Sequence, residues 1–247
     1  MKWHIGCSGF HYKHWKGSFY PEDLAQSKWF EYYCRFFNTL ELNVTFYRFP
    51  KVSFLQNWER KSPPDFHFAV KAPRFITHYK QFSGTVDMLS DFYYIIQEGL
   101  KDKLGCVLFQ LPPRFSYSQE RLDKIIDSLD SSFLNVVEFR HSSWWRQEAI
   151  QQLGEHNITF CGMSHPLLPD DIIHNAPLLY YRLHGKEQLY TSNYSESELL
   201  SLYQSIDSLA PSQAYIFFNN DIETFAVFNA QKLSGLAGLS SHDQSAI

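Results

Sequence analysis

At 247 residues, 44% of them hydrophobic and 19% charged, the chain has the make-up of a globular protein and is too apolar to stay disordered. A formal charge of −4 excludes a protein that coats nucleic acid through overall basicity, while leaving a local basic patch open. Eight short apolar runs follow in order, at residues 3–6, 39–43, 66–71, 105–110, 135–140, 158–163, 179–184 and 214–219. Between them, helices are predicted at 26–37, 53–61, 86–101, 118–129, 146–156, 196–209 and 222–233, with Ser195 and Glu198 as a capping box ahead of the sixth. Eight strand–helix alternations predict an α/β fold, a TIM-type (β/α)8 barrel over residues 1–236 as a single domain, with 237–247 as a flexible polar tail. A doubly wound open sheet is the competing arrangement.

The four cysteines, Cys7, Cys34, Cys106 and Cys161, show no C-x-x-C or metal-finger spacing, and several sit in strand-like runs, as free thiols in a reducing compartment do. No apolar stretch is long enough for a bilayer, and the first residues enter a strand without a signal-peptide core. A cytoplasmic protein with no membrane association is therefore expected.

A barrel gathers its working residues at the C-terminal strand ends. In chain order those ends offer Cys7, Ser8 and the loop with Tyr12 and Trp15; Glu41 and Asn43, with Tyr47 and Arg48 beyond; Lys71 and Arg74; Gln110; Glu138, Arg140 and His141; Arg182, His184 and Gly185; and Asn219, Asn220 and Asp221. Only the sixth, around Met163, is weakly polar, and the strand starts are mostly apolar. Alternation along a strand places Glu41 with Asn43, Glu138 with Arg140, and Arg182 with His184 on shared faces. Two carboxylates among Lys71, Arg140 and Arg182 leave an excess of positive charge, which suits a phosphate or carboxylate.

Within this set Glu138 is the candidate general acid or base, set against a structural ion pair. Lys71 is read as an oxyanion holder or Schiff-base lysine, or else as the ionic partner of Glu41; Glu41 with Asn43 binds hydroxyls, acts as a second carboxylate, or forms a buried network. Arg140, Arg182 and His184 are the expected anion contacts, with Gln110, Asn219 and Asn220 facing the mouth and Asp221 capping the last helix. Tyr12, Trp15, Tyr47 and Trp144 are read as a stacking rim for a sugar or base, or individually as packing between loops. No H-x-x-x-H, Walker, G-x-G-x-x-G or G-x-S-x-G pattern occurs, so neither a metal nor another cofactor is expected.

The segments Gly6-Cys7-Ser8-Gly9-Phe10, Leu40-Glu41-Leu42-Asn43, Val70-Lys71-Ala72-Pro73-Arg74, Phe109-Gln110-Leu111-Pro112-Pro113, Glu138-Phe139-Arg140-His141, Arg182-Leu183-His184-Gly185 and Phe218-Asn219-Asn220 resemble, in order and over nearly the whole chain, the YecE-like family, domain of unknown function 72. The resemblance implies a TIM-type barrel and supplies no reaction. The chain departs from the family pattern at Phe10, where Trp is usual, at Ser142, where Pro is usual, and at Met163, where many members carry Asp; a metal-dependent reading is weakened accordingly. Three functions remain open: a metal-independent enzyme on a small anionic substrate; a nucleic-acid-binding or repair protein of endonuclease IV-like architecture, tracking phosphates with Arg48, Arg74, Arg114 and Lys186; and a non-catalytic ligand-binding protein.

Overall fold

The computed structural model describes residues 1–239. Nine strands run β1 (Lys2–Cys7), β2 (Thr39–Leu42), β3 (His67–Lys71), β4 (Leu104–Gln110), β5 (Asn135–Glu138), β6 (Thr159–Phe160), β7 (Gly162–Ser164), β8 (Leu178–Leu183) and β9 (Gln213–Phe218) among the described residues. They form two all-parallel sheets, ordered β2-β3-β4-β5-β6 and β1-β9-β8-β7. Eight α-helices lie among the described residues, between and after the strands except from β6 to β8: α1 (Trp29–Tyr33), α2 (Val44–Tyr47), α3 (Val52–Lys61), α4 (Val86–Leu100), α5 (Gln119–Ser128), α6 (Gln147–Glu155), α7 (Glu196–Leu209) and α8 (Phe225–Leu236). Parallel neighbours require such crossovers.

The run expected as one sixth strand is two short ones, handed from one sheet to the other at buried Cys161. Cys161 N–H still donates to Val137 O on β5 at 2.9 Å, while Gly162 already pairs with Tyr181 on β8. A Cβ on Gly162 would stand 2.7 Å from Asp171 O and 2.8 Å from the Tyr181 ring, so the crossing needs glycine. Between β1 and β2 a side chain replaces the ladder. Tyr33 OH donates to Thr39 O at 3.0 Å and accepts from Cys7 N–H at 2.8 Å. Gly6 lies so near that an added Cβ would come within 2.4 Å of Thr39 O.

Ala69, Cys106, Leu108, Val136, Cys161, Leu178, Tyr180, Tyr215 and Phe217 make their own buried cluster, distinct from the larger core. Two residues further along the same strand faces lie Lys71, Gln110, Glu138 and Arg182. The strand period thus carries an apolar middle upward into a charged C-terminal end.

Two helix expectations need correction. The first, over 26–37, is a 3-10 turn Gln26–Lys28 and the five-residue α1, because Trp29 stacks on Tyr20 at 4.7 Å and fixes the chain there. The last starts at Phe225, because Glu223 and Thr224 hold left-handed φ values of 63° and 65°. Helix α2 and the wide helical turn Phe75–Lys80 had no periodic signal to announce them. The capping box on Ser195 and Glu198 is present. Of the tail expected over 237–247, residues 240–247 lie outside the described residues.

Candidate active site

Arg182 is the centre of the charged end. Its side chain is 1% exposed and its two terminal nitrogens take one carboxylate each: Nη2 donates to Glu41 Oε1 at 2.6 Å and Nη1 to Glu138 Oε2 at 2.5 Å. Both glutamates are fully buried. The second oxygen of Glu41 accepts from Tyr180 OH at 2.6 Å, and the second oxygen of Glu138 accepts from Arg140 Nε. Burial pushes both carboxyls up, but Arg182 and Lys71 outweigh it at Glu41 and leave it below the ordinary value; at Glu138, Arg140 and Arg182 hold it at about 2. Both therefore stay ionised at neutral pH.

His184 completes the layer. Its Nε2 faces Arg140 Nη2 at 2.8 Å and Arg182 Nη1 at 3.3 Å. A guanidinium only donates, so Nε2 must be the acceptor and the ring proton sits on Nδ1. Asn219 Nδ2 stands 3.0 Å from Nδ1, and a proton on Nδ1 needs an acceptor, so this tautomer requires the Asn219 amide turned over, with its oxygen toward the ring. Burial and the charges of Arg140 and Arg182 hold the His184 pKa well below its ordinary value, in line with a neutral ring.

Lys71 differs from every other ion in the layer. It is 8% exposed, and among the described residues its ammonium makes no hydrogen bond and no ion pair; its one close contact is the face of Phe46, 4.3 Å from Nζ. Burial and the charge of Arg182 lower its pKa to about 8, against the pull of Glu138 and Glu41. Lys71, Arg140 and Arg182 all line a cavity of about 960 Å³. Ser8, Tyr12, Asn43, Tyr47, Gln110, His141, His165 and Asn219 complete its polar wall. Asn43 Nδ2 donates to Glu41 Oε1 at 3.2 Å, while Asn43 Oδ1 is buried without a partner. His165 is held neutral, at about 4, by burial and by Arg140. With two carboxylates against three cations, the layer presents net positive charge to a concave, partly dry space.

The family described as protein of unknown function DUF72 matches residues 4–246. The chain belongs to the DUF72 family. It is 28% identical over 147 residues to the UPF0759 protein YecE of Escherichia coli strain K12, covering 59% of this chain and 54% of that protein. It is likewise 28% identical over 142 residues to YunF of Bacillus subtilis strain 168, covering 55% and 50%. The aligned stretch thus spans about half the length of these curated relatives. A crystal structure of a DUF72 family protein from Thermotoga maritima superimposes with TM-score 0.87 at 31% identity, covering 96% of this chain and all of that one. Another, from Enterococcus faecalis, gives 0.81 at 17% identity over 99% and 98%, which speaks to the fold alone.

Most of the polar residues read from this DUF72 sequence meet at the cavity or directly beneath it, with particular exceptions. Asn220 does not face the mouth: its side chain is buried and donates to Ser192 O at 2.9 Å and Asn229 Oδ1 at 2.8 Å. Asn219 and Asn220 are neighbours on extended chain, so they point apart. Asp221 makes no cap; it accepts from Trp15 Nε1 at 2.6 Å and pairs with His14 at 3.3 Å. Trp15 and Trp144 are fully buried and belong to the packing, leaving Tyr12 and Tyr47 as the aromatic rim. Tyr180, Phe46 and His165 were missed. Tyr180 lies two residues before Arg182 on the same face, and a buried tyrosine hydroxyl needs a partner, so parity carried that signal. Among the described residues no cluster of three or more His, Cys, Asp or Glu could hold a metal, and no helix is long and apolar enough to cross a membrane. All four cysteines are free and buried.

Proposed function

We propose that this DUF72 protein is an enzyme that takes a small phosphate- or carboxylate-bearing molecule into the mouth cavity and moves a proton on it through Lys71. The observation that carries the reading is the uncommitted amine of Lys71. A lysine kept for structure would neutralise a carboxylate, and here both carboxylates are already taken by Arg182 and Arg140. Its depressed pKa suits proton transfer near neutrality, and in its charged form it holds an oxyanion. Arg140 and Arg182 supply the remaining positive field, with Gln110, Asn43, Asn219 and Tyr12 as orienting polar groups. Glu138 and Glu41, sealed beneath the floor, act as positioning residues: they fix the two guanidinium groups. The same cations repel a divalent ion, so the step runs on side chains alone.

The reading also takes the two sheets as one closed ring over a single domain, residues 1–236. Its supports are the hand-over at Cys161 and the Tyr33 bridge between β1 and β2.

Isothermal titration with inorganic phosphate and a panel of phosphorylated and carboxylated metabolites tests the reading. Binding is expected in the native protein and a large loss in Lys71→Met and Gln110→Ala, with folding checked by circular dichroism. Absence of any bound anion, or binding untouched in both variants, overturns it. One observation favours a second reading, in which the anion is a phosphate of single-stranded nucleic acid: the Arg74 guanidinium lies 5.7 Å and 5.6 Å over the rings of exposed Tyr47 and Tyr79 beside the mouth. Binding of an oligonucleotide that weakens steeply with salt distinguishes it.

A further inference from the structure

We infer that Lys71 is a covalent site, capturing as an imine the carbonyl group of an aldehyde or ketone that also bears a carboxylate or phosphate. This rests on the mouth being an anion site and adds the functional group that the anion must carry.

Three features lead there. First, the amine is free of acceptors. Lys103, also withdrawn from solvent, donates to Glu59 O, Ser62 O and Ser62 Oγ at 2.6, 2.8 and 3.0 Å, whereas Lys71 has no acceptor among the described residues. A structural ion pair requires such a partner; an attacking nitrogen is hindered by one. Second, Lys71 is buried yet lines the cavity. The residue is 8% exposed, lies against Phe46, and lines the 960 Å³ cavity. Third, Arg140 and Arg182 disfavour another positive charge beside them while being well placed to hold the substrate's anion. With a pKa of about 8, about a tenth of Lys71 is neutral at pH 7, against about one in three thousand for an ordinary lysine.

The step balances without an external oxidant or reductant. The Nζ lone pair attacks the carbonyl carbon, forming the C–N bond while the C=O π pair moves to oxygen. Both nitrogen protons end on that oxygen, which leaves as water. The imine then takes one proton from solvent to become the iminium. Neutral His165, on the wall of the same cavity, is the candidate to shuttle the protons.

The test is reductive trapping on the native protein. Pyruvate, glyoxylate and dihydroxyacetone phosphate are each added with borohydride, which delivers hydride to the imine carbon and leaves a stable secondary amine. Peptide mass spectrometry then locates the adduct. One adduct per chain is expected, on Lys71, enriched at least about tenfold over any exposed lysine in keeping with its neutral fraction, and absent with acetone, which has no anion. Competitive acylation of the unmodified protein gives a variant-free check: Lys71 should reach half its maximal reactivity near pH 8. Labelling spread evenly over surface lysines overturns the inference. So does calorimetric binding of pyruvate or phosphate with no trapped adduct, and that result leaves the proton-transfer reading standing. Neither binding nor adduct overturns both.

Discussion

Replacing Lys71 by methionine tests the electrostatics of the mouth directly. The substitution keeps the apolar stem and removes a buried ammonium that has no counter-ion in contact. The distance from the ordinary 10.5 to about 8 corresponds to about 3 kcal/mol, at about 1.4 kcal/mol per pH unit. The sign follows from proton counting. The unfolded chain keeps this proton up to about 10.5, whereas the folded protein sheds it from about 8. Between those values the unfolded state binds more protons, so the Lys71 contribution to stability rises with pH. Below about 8 the penalty is present in full. Lys71→Met is therefore expected to be more stable than the native protein at neutral pH by up to about 3 kcal/mol, or roughly 6–12 °C in Tm for a chain of this size. The advantage should vanish by about pH 10.5. Urea unfolding followed by tryptophan fluorescence, on both proteins across that range, isolates the contribution because all other titrations cancel in the difference. A variant less stable at neutral pH, or a difference flat with pH, would show that the amine is paired, and the reasoning from an uncommitted lysine would fall with it.

Glu138→Gln leaves Arg140 and Arg182 under-compensated in a dry site and should cost about 3–5 kcal/mol in urea unfolding; a loss below about 1 kcal/mol would refute the assignment of Glu138 as their anchor. Because the Glu138 carboxyl is depressed to about 2, its stabilisation is present above the ordinary 4.5 and is lost as pH falls toward 2, so an acid unfolding curve of Glu138→Gln should be flatter over that window than the native one. Gly6→Ala forces a methyl group against Thr39 O, 2.4 Å away, and should destabilise by at least about 1–3 kcal/mol in a thermal scan by parting β1 from β2. Ser195→Ala removes the hydroxyl half of the capping box, leaving the backbone N–H to Glu198, and should lower stability by about 1 kcal/mol, with no effect on ligand binding at the mouth.

Local chemistry made much of this legible. Short continuous apolar runs located the strands, since β-branched and aromatic residues buried on both faces leave few other conformations. Parity predicted that Glu138 and Arg140 share a face, and the two side chains bond. The same rule applied to Asn219 and Asn220 would have separated them. The split at Cys161 escaped because its cause is not local: Gly162 is required by Asp171 O, in the loop after β7, and by the Tyr181 ring on the neighbouring strand β8.

The sequence by itself therefore determined an alternating α/β chain and a set of ionised residues destined for one end of its strands, because side-chain period and the cost of burying charge are properties of short segments. Which charge neutralises which was decided only in three dimensions. Arg182 reaches Glu41 and Glu138 across 141 and 44 positions of chain, and by satisfying both it leaves Lys71 without an acid. Electrostatic pairing depends on distances of a few ångströms, and only the assembled sheets set those distances.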